Sequence, residues 1–241
     1  MSSQTFTGTL LERIQRAADT ASFRFTRPPE YRFEAGQSFL LTIPSQDGPL
    51  THCFSHADSP RESHTELTTR LTGSPFKNAL EALLPGAAAT FKGPDGRFVF
   101  PYEASKVAYL VGGIGITPVR SILRYLVDTH GAGRTPAQEI VLFYGCMTED
   151  AIVYREEIDQ FARVLPGLRA VYVITEPSPG WKGHTGFMTS EMVRSELGDV
   201  HDWTFFTVGP PPMIAAMDKL AGALAIPEAR LVKESFAGYA S

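Results

Sequence analysis

Between Val107 and Leu123 the chain reads VAYLVGGIGITPVRSIL, an apolar run that passes through Gly112, Gly113 and Gly115 into a helical pattern. Glycines at such a turn let the backbone bend tightly and approach a ligand with no Cβ in the way. Thr117 is placed to cap the helix and Pro118 suits its first turn, so free amides and the positive end of the dipole would face the loop. That is the chemistry a pyrophosphate requires. The spacing is not the full GxGxxG fingerprint, and tight packing alone would also use such a turn. A second glycine turn, Gly209, Pro210, Pro211 and Pro212 before Met213, follows the run from Trp203 to Val208; a proline-stiffened helix start is its other reading. In a parallel α/β sheet, loops at the carboxyl ends of neighbouring strands line the ligand crevice, so both turns are expected on one edge. Cys53 and Cys146 stand alone and far apart. Their spacing excludes a CxxC pair, a zinc pattern and an iron–sulfur cluster.

The elements that must position these turns fall into two textures. From Thr5 to Phe100 the chain gives short runs, GTLLERIQR, ASFRFTR, QSFLLTIP, HCFSHA, TELTTRL and AATFKG, separated by turn signals. Strands at this spacing predict an antiparallel barrel or sandwich. One helix interrupts them, because Phe76, Leu80, Leu83 and Leu84 share a helical face after Ser74 and Pro75. Beyond a linker at Pro101 to Ser105, strand candidates alternate with helical patterns. The strands are Val107 to Val111, Ile140 to Tyr144, Val171 to Thr175, Trp203 to Val208 and the shorter Arg230 to Lys233. The helices are Val119 to Thr129, Ala151 to Val164, Met188 to Glu196 and Pro212 to Leu224. Strands apolar on both faces that alternate with amphipathic helices imply a parallel sheet covered on both sides.

With 241 residues, 43% of them hydrophobic and 20% charged, the chain is long enough for two small domains with real cores. The expected boundaries are 1–101 and 106–241. A net charge of -4 without a basic stripe argues against a nucleic-acid partner. No apolar run approaches the roughly 18 residues of a bilayer span, and the first residues show no secretory pattern, so a cytoplasmic site is expected.

LVGGIGITP, VGPPPM, EAGQSFL, HCFS, LTGSPFKNAL, GPDGRF and VKESF occur in the order found in the ferredoxin-NADP reductase-like family of flavoproteins, which the chain resembles from about Gly8 to Tyr239. The resemblance implies a six-stranded antiparallel flavin barrel followed by an α/β nucleotide domain with a five-stranded parallel sheet. Nicotinamide would meet isoalloxazine at their seam. It also implies roles. The family's Arg-x-Tyr-Ser pattern reads His52, Cys53, Phe54 and Ser55 here. Phe54 would pack on the flavin, Ser55 would hydrogen-bond near N5, and Cys53 would be a small filler. Thr69, Arg70 and Leu71 would run beside the isoalloxazine, and Ser74, Phe76, Lys77 and Asn78 open the helix on the phosphate side. Gly113, Gly115, Ile116, Thr117 and Pro118 match the dinucleotide pyrophosphate loop, while Gly209, Pro210, Pro211 and Met213 match the nicotinamide-side turn. Glu234 and Phe236 resemble the nicotinamide-site acid and the flavin-stacking ring.

The departures carry information of their own. His52 stands where the family has a permanently charged guanidinium, and Lys77 stands where it has a hydroxyl; Lys77 is expected to replace the missing charge. FAD is the expected flavin, with FMN as the alternative. Thr175 and Glu176 follow the third parallel strand, where NADPH-specific relatives have a hydroxyl and an arginine. A carboxylate accepts hydrogen bonds from a ribose diol and repels a 2′-phosphate, so NADH is favoured over NADPH, with Arg155 or Lys182 as competing phosphate contacts. The implied reaction is hydride transfer to the flavin, then single-electron transfer to an external acceptor: a ferredoxin, a flavodoxin, an oxygenase component or a cytochrome. A ferric or free-flavin reductase and a non-catalytic flavin-binding module are the rival readings.

Overall fold

A computed structural model describes residues 3–130, 137 and 139–235. The chain divides into two compact units, one formed by Met1–Phe100 with Thr117–Asp128, the other by Pro101–Ile116 with the chain from Thr129 onward.

Alternation of period two builds the first unit. Its strands are β1 (Gln4–Ala17), β2 (Thr20–Thr26), β3 (Ser38–Ile43), β4 (Leu50–Ser55), β5 (His64–Arg70) and β6 (Ala88–Asp95). They form one curled antiparallel sheet in the order β4-β3-β6-β1-β2-β5. β1 joins its two halves: Gln4 to Thr9 pair with β6, and Leu10 to Ala17 pair with β2 across a register shift at Leu10/Glu12. Such an irregularity bends a strand and lets a sheet curl. The concave face buries Phe23, Phe25, Phe39, Leu41, Ile43, Leu67 and Phe91. Helix α1 (Pro75–Glu81) covers this core with Phe76 and Leu80, and Ser74 caps it by accepting from the Lys77 amide. Helical periodicity also places Leu84 on that face, but the helix stops at Glu81 before Pro85 and Gly86, and Leu84 is 75% exposed.

The second unit holds six parallel strands, β7 (Lys106–Gly112), β8 (Glu139–Cys146), β9 (Leu168–Ile174), β10 (His184–Thr185), β11 (Trp203–Gly209) and β12 (Leu231–Ser235). Their order is β10-β9-β8-β7-β11-β12. Five correspond to the apolar runs, and the sixth, β10, is a two-residue addition at the edge. Burial on both faces is met: Ala108, Leu110, Val141 and Phe143 pack in a core with Trp203, Phe205, Met217 and Leu220, while Val107, Tyr109, Val111 and Leu142 are also buried. Its helices are α3 (Arg155–Val164), α4 (Ser190–Leu197) and α5 (Pro211–Ala223), while α2 (Ile116–His130) follows β7 in the chain and belongs over Thr117–Asp128 to the first unit. α3 begins four residues later than the apolar pattern from Ala151 suggests. A 3-10 turn at Glu149–Ala151 comes first, and Tyr154 takes φ 63° just before the helix, a left-handed conformation that a helix cannot include. From β7 the sheet is built outward on one side through β8, β9 and β10, and the chain then crosses back to place β11 and β12 on the other side of β7. That reversal creates a crevice beyond the carboxyl ends of β7 and β11.

Candidate functional site

The two glycine turns meet at that crevice. β7 and β11 pair in parallel with Val111 opposite Val208, so the turns that follow leave the sheet side by side. A Cβ added to Gly115 would lie 2.4 Å from the Val208 carbonyl oxygen and 3.4 Å from the Gly209 Cα. The close approach is of backbone to backbone, and only glycine permits it. Met213, in the first turn of α5, fills the remaining space, since a Cβ on Gly112 would meet its Sδ at 2.1 Å and one on Gly209 at 2.7 Å. Gly113 differs: it has φ +51° and nothing within 4 Å of where its Cβ would point. The loop therefore packs through Gly112 and Gly115 and presents open space at Gly113.

A 3-10 turn, Gly113–Gly115, runs directly into α2. Thr117 is consequently the second residue of the helix and not its cap, and it is buried, with Ile116 before it and Pro118 after it. The helix starts two residues earlier than the Thr-Pro signal suggests because the 3-10 turn at Gly113–Gly115 runs directly into it. Glu234, half-buried, lies on β12 opposite Val208, with Ser235 opposite Gly209. Phe236 lies outside the described residues.

At the other end of the sheet Thr175 and Glu176 leave β9, held by bonds from the Thr175 amide to the Cys146 carbonyl (3.0 Å) and from the Glu176 amide to the Met147 carbonyl (2.8 Å). A cleft of about 550 Å³ opens beyond them, lined by Glu149, Arg155, Ser178, Trp181 and Lys182. The Arg155 guanidinium stands 5.5 Å from the ring centroids of both Tyr172 and Trp181. Glu149 accepts from the Ser178 amide and hydroxyl, and these bonds hold its carboxyl below the usual range.

In the first unit, β4 and β5 are the two edge strands of the sheet, and α1 lies against β4. Period two puts His52 and Phe54 on one face of β4, where their rings are 5.0 Å apart and lie 5.4 and 5.6 Å from Phe76. The Lys77 ammonium sits 4.3 Å from the Phe54 ring centroid and donates to Thr69 Oγ1 on β5. His52, Phe54, Thr69, Phe76 and Lys77 thus form one cluster. Burial pushes the Lys77 amine down to about 8. Burial also lowers His52, and the positive charge of Lys77 lowers it further, so the imidazole is the neutral member of the pair.

Not every residue the motifs single out joins this cluster. Cys53 lies on the opposite face of β4, paired with the exposed Leu40, where it lines a separate cleft with Lys92 and Asp95. Arg70 is exposed and ion-paired with Asp19 at 2.7 Å. Leu71 is half-buried, with its amide on the Asp19 carbonyl. Ser74 and Asn78 are exposed, the first as the cap and the second donating to the Gly73 carbonyl. Ser55, at the end of β4, is 4% exposed.

The sequence motifs miss the polar core behind Ser55. His56 is fully buried, stacked on Phe33 at 3.6 Å, with Nδ1 2.9 Å from Asp58 Oδ1 and Nε2 3.1 Å from the Tyr31 hydroxyl. Asp58 also accepts from Arg27 (2.7 Å) and the Glu66 amide (2.8 Å). Glu66 is buried too; burial alone would raise its carboxyl, but His64, Arg120, Arg16 and Arg24 hold it far below the usual range. The only signal was the HxD spacing directly after HCFS. Such a network fixes the path of the chain after Ser55.

A six-stranded antiparallel unit followed by a parallel sheet with two abutting glycine turns is the architecture of a two-domain nucleotide-binding protein. A family model described as oxidoreductase NAD-binding domain matches residues 110–219. The chain is 32% identical over 235 residues to NADH-cytochrome b5 reductase 1 of Aspergillus terreus, covering 93% of this chain and 79% of that protein. It is 32% identical over 203 residues to the protein of the same name from Ajellomyces capsulatus, covering 82% of this chain but 65% of the relative's length. Among solved structures, the cytochrome P450 reductase of Amycolatopsis superposes with a TM-score of 0.84 at 23% identity, over 97% of this chain and 70% of that one. The chain belongs to the ferredoxin-NADP reductase-like family of FAD-dependent, NAD(P)H-using flavoprotein oxidoreductases. No helix among the described residues is long and apolar enough to cross a membrane, and no group of side chains among them could hold a metal ion.

Proposed function

We propose that the chain is an NADH-dependent flavoprotein reductase that passes electrons from FAD to an external acceptor, with a cytochrome as the first candidate. The observation that carries this reading is the seating of Gly115 against the Val208 carbonyl, which brings two backbone turns to one crevice and leaves Gly113 facing open space. A turn so built serves a dinucleotide pyrophosphate, because amides and the α2 N-terminus reach the anion without side chains in the way. The cytochrome preference rests on the curated relatives, which are named NADH-cytochrome b5 reductases.

Bound FAD would supply the chemistry, accepting two electrons with a hydride and releasing them singly. The chain's residues supply position. Gly113, Gly115 and the head of α2 would hold the nucleotide phosphates, and Gly209 with Pro210 and Pro211 would shape the nicotinamide side. Glu234, on β12 beside Val208, would hold the carboxamide or move a proton there. Phe54 offers a flat apolar ring on the flavin side, already packed against His52 and Phe76. Ser55 would donate toward the flavin ring from the end of β4, steadied by the buried His56 and Asp58 that follow. Glu176 would accept from the ribose diol and repel a 2′-phosphate. Arg155 and Lys182 line a cleft that also contains the Glu149 carboxylate, which reduces its attraction for a phosphate.

Anaerobic stopped-flow mixing of the FAD-loaded protein with NADH and, separately, NADPH tests the reading. Rapid loss of flavin absorbance with NADH and slow loss with NADPH is expected. Absorbance unchanged by either would end the reductase assignment. Turnover with cytochrome b5, ferredoxin, ferricyanide and free flavin at several salt concentrations then identifies the acceptor, since a docked protein acceptor is salt-sensitive where ferricyanide is much less so.

A further inference from the structure

Lys77 is unusual among the charged groups of the first unit. It is 7% exposed, yet among the described residues it faces no carboxylate within ion-pair distance; its ammonium donates to the Thr69 hydroxyl. The other buried charges of this unit are matched: Glu66 by Arg16 and Arg24, Asp58 by Arg27, and Arg120 by Glu62. A buried ammonium without a counter-ion is costly and is retained where something else supplies the negative charge. The groups around it are two aromatic rings, Phe54 and Phe76, and the His52 imidazole, which Lys77 helps to keep neutral. Arg70, the nearest cation along β5, is turned to the surface and paired with Asp19.

We propose that Lys77 is the phosphate-binding cation of the flavin site, so that the charge resides on α1 and not on β4, where His52 stands. The proposal rests on the flavoprotein reading above and goes further by assigning the site's electrostatic anchor to one side chain. It explains two local features together. A cation at position 52 would face Lys77 across the Phe54 and Phe76 rings, and like charges there would repel; a neutral imidazole removes that conflict. The ammonium is also already desolvated, so an arriving phosphate meets a donor that has little bound water to lose, the condition under which charge-assisted bonds are strong.

The test is equilibrium binding of FAD, FMN and riboflavin to the apoprotein, read by flavin fluorescence, for the unaltered chain, Lys77→Met, Lys77→Arg and Lys77→Met/His52→Arg. Lys77→Met keeps the packing volume and removes the charge. It should weaken FAD by roughly 10- to 100-fold and flatten the salt dependence of binding, while riboflavin changes less than about 2-fold. Lys77→Arg should retain most of the affinity, and the double variant, with its cation moved to β4, should recover part of it. A loss shared by FMN and FAD places Lys77 at the phosphate nearest the ring; a loss confined to FAD places it at the distal one. Inorganic pyrophosphate should compete with FAD on the unaltered chain, a readout that needs no variant to fold. FAD binding unchanged in Lys77→Met at every salt concentration, an equal loss for riboflavin, or no competition by pyrophosphate would overturn the proposal and leave the reductase reading standing. An unaltered apoprotein that binds no flavin would overturn both.

Discussion

The nucleotide crevice and the flavin-side cluster are built from different materials. Around Gly115 the site is backbone: two strand ends, a helix start and glycines placed where any Cβ would collide. Around Lys77 it is side chains, brought from β4, β5 and α1 by a curled sheet in which β4 and β5, consecutive in the chain, stand at opposite ends of the strand order. A backbone site tolerates almost no change of residue at its contact points and depends little on pH. A side-chain site can exchange one residue for another, as the proposed transfer of charge from position 52 to Lys77 would do, and it inherits the titration of its members.

The largest effect that could break this contrast is at Gly115. Gly115→Ala puts a methyl group 2.4 Å from a backbone carbonyl that belongs to the neighbouring strand and cannot move aside cheaply. A loss of about 2–3 kcal/mol in stability and of roughly 100-fold in the rate of flavin reduction by NADH is expected. Gly113→Ala meets no atom but must adopt φ near +51°, which costs about 1 kcal/mol and leaves the fold intact. Thermal unfolding and stopped-flow reduction of the two variants decide the matter. Equal losses would mean that the turn acts through flexibility and not through contact.

The same contrast governs what the sequence reveals. The nucleotide unit is legible because its signals are local: apolar runs buried on both faces, helices of period 3.6 between them, and glycines at strand ends. All five long parallel strands fall on the runs that the sequence marks. The cluster around Lys77 lies between residues 52 and 77, yet it is assembled by the curling of the sheet and not by a local pattern. Period two places His52 and Phe54 on one face of β4, but nothing in the sequence alone brings Lys77 to Thr69 on another strand, and only the family resemblance joined them. Cys53 shows the cost of carrying a motif over whole, since strand alternation turns it away from its two neighbours. The His56, Asp58 and Tyr31 network was illegible because its partners come from three segments and its sequence signal is a bare HxD.

Titration of Lys77 is the next largest effect, and its sign differs between apoprotein and complex. An ordinary lysine titrates near 10.5, and burial brings this one to about 8. In the apoprotein the charged form is therefore penalised by roughly 3 kcal/mol below pH 8, and the penalty fades as pH rises from 8 to 10.5. Relative to Lys77→Met, the unaltered apoprotein should gain stability over that window in thermal unfolding. A flavin phosphate reverses the trend by favouring the ammonium, so FAD affinity should fall as pH rises through about 8. His52, lowered by burial and by the charge of Lys77, is already neutral there and contributes no step in this range. Parallel pH profiles for the two proteins would remove Lys77 from the flavin site.

Glu176 should give a smaller effect, because it is one charge in a solvated part of the nucleotide unit. Glu176→Ser removes the repulsion toward a 2′-phosphate without supplying a cation, and the ratio of kcat/KM for NADPH over NADH should rise by roughly 10-fold, about 1.4 kcal/mol. Steady-state rates with both nucleotides measure it. An unchanged ratio would assign the discrimination to the Arg155 and Lys182 cleft.

The smallest effect is expected at Cys53, and it sharpens the comparison because its position in the chain lies between two members of the flavin cluster. Strand alternation directs its thiol to the face it shares with Leu40, and the adjoining cleft is lined by Lys92 and Asp95, not by His52 or Phe54. Cys53→Ser should therefore leave FAD affinity within about 2-fold and stability within roughly 0.5 kcal/mol, as for a surface substitution. Phe54→Ala, one residue away on the other face, removes a ring buried among Phe39, Phe76 and the Lys77 ammonium and should cost about 3 kcal/mol or more. Alkylation of the unaltered protein supplies the stricter measurement, since it adds bulk without changing the fold's own contacts. If modified Cys53 retained flavin fully, the face assignment would stand; if alkylation displaced flavin, the two faces of β4 would communicate and the side-chain cluster would extend through the strand.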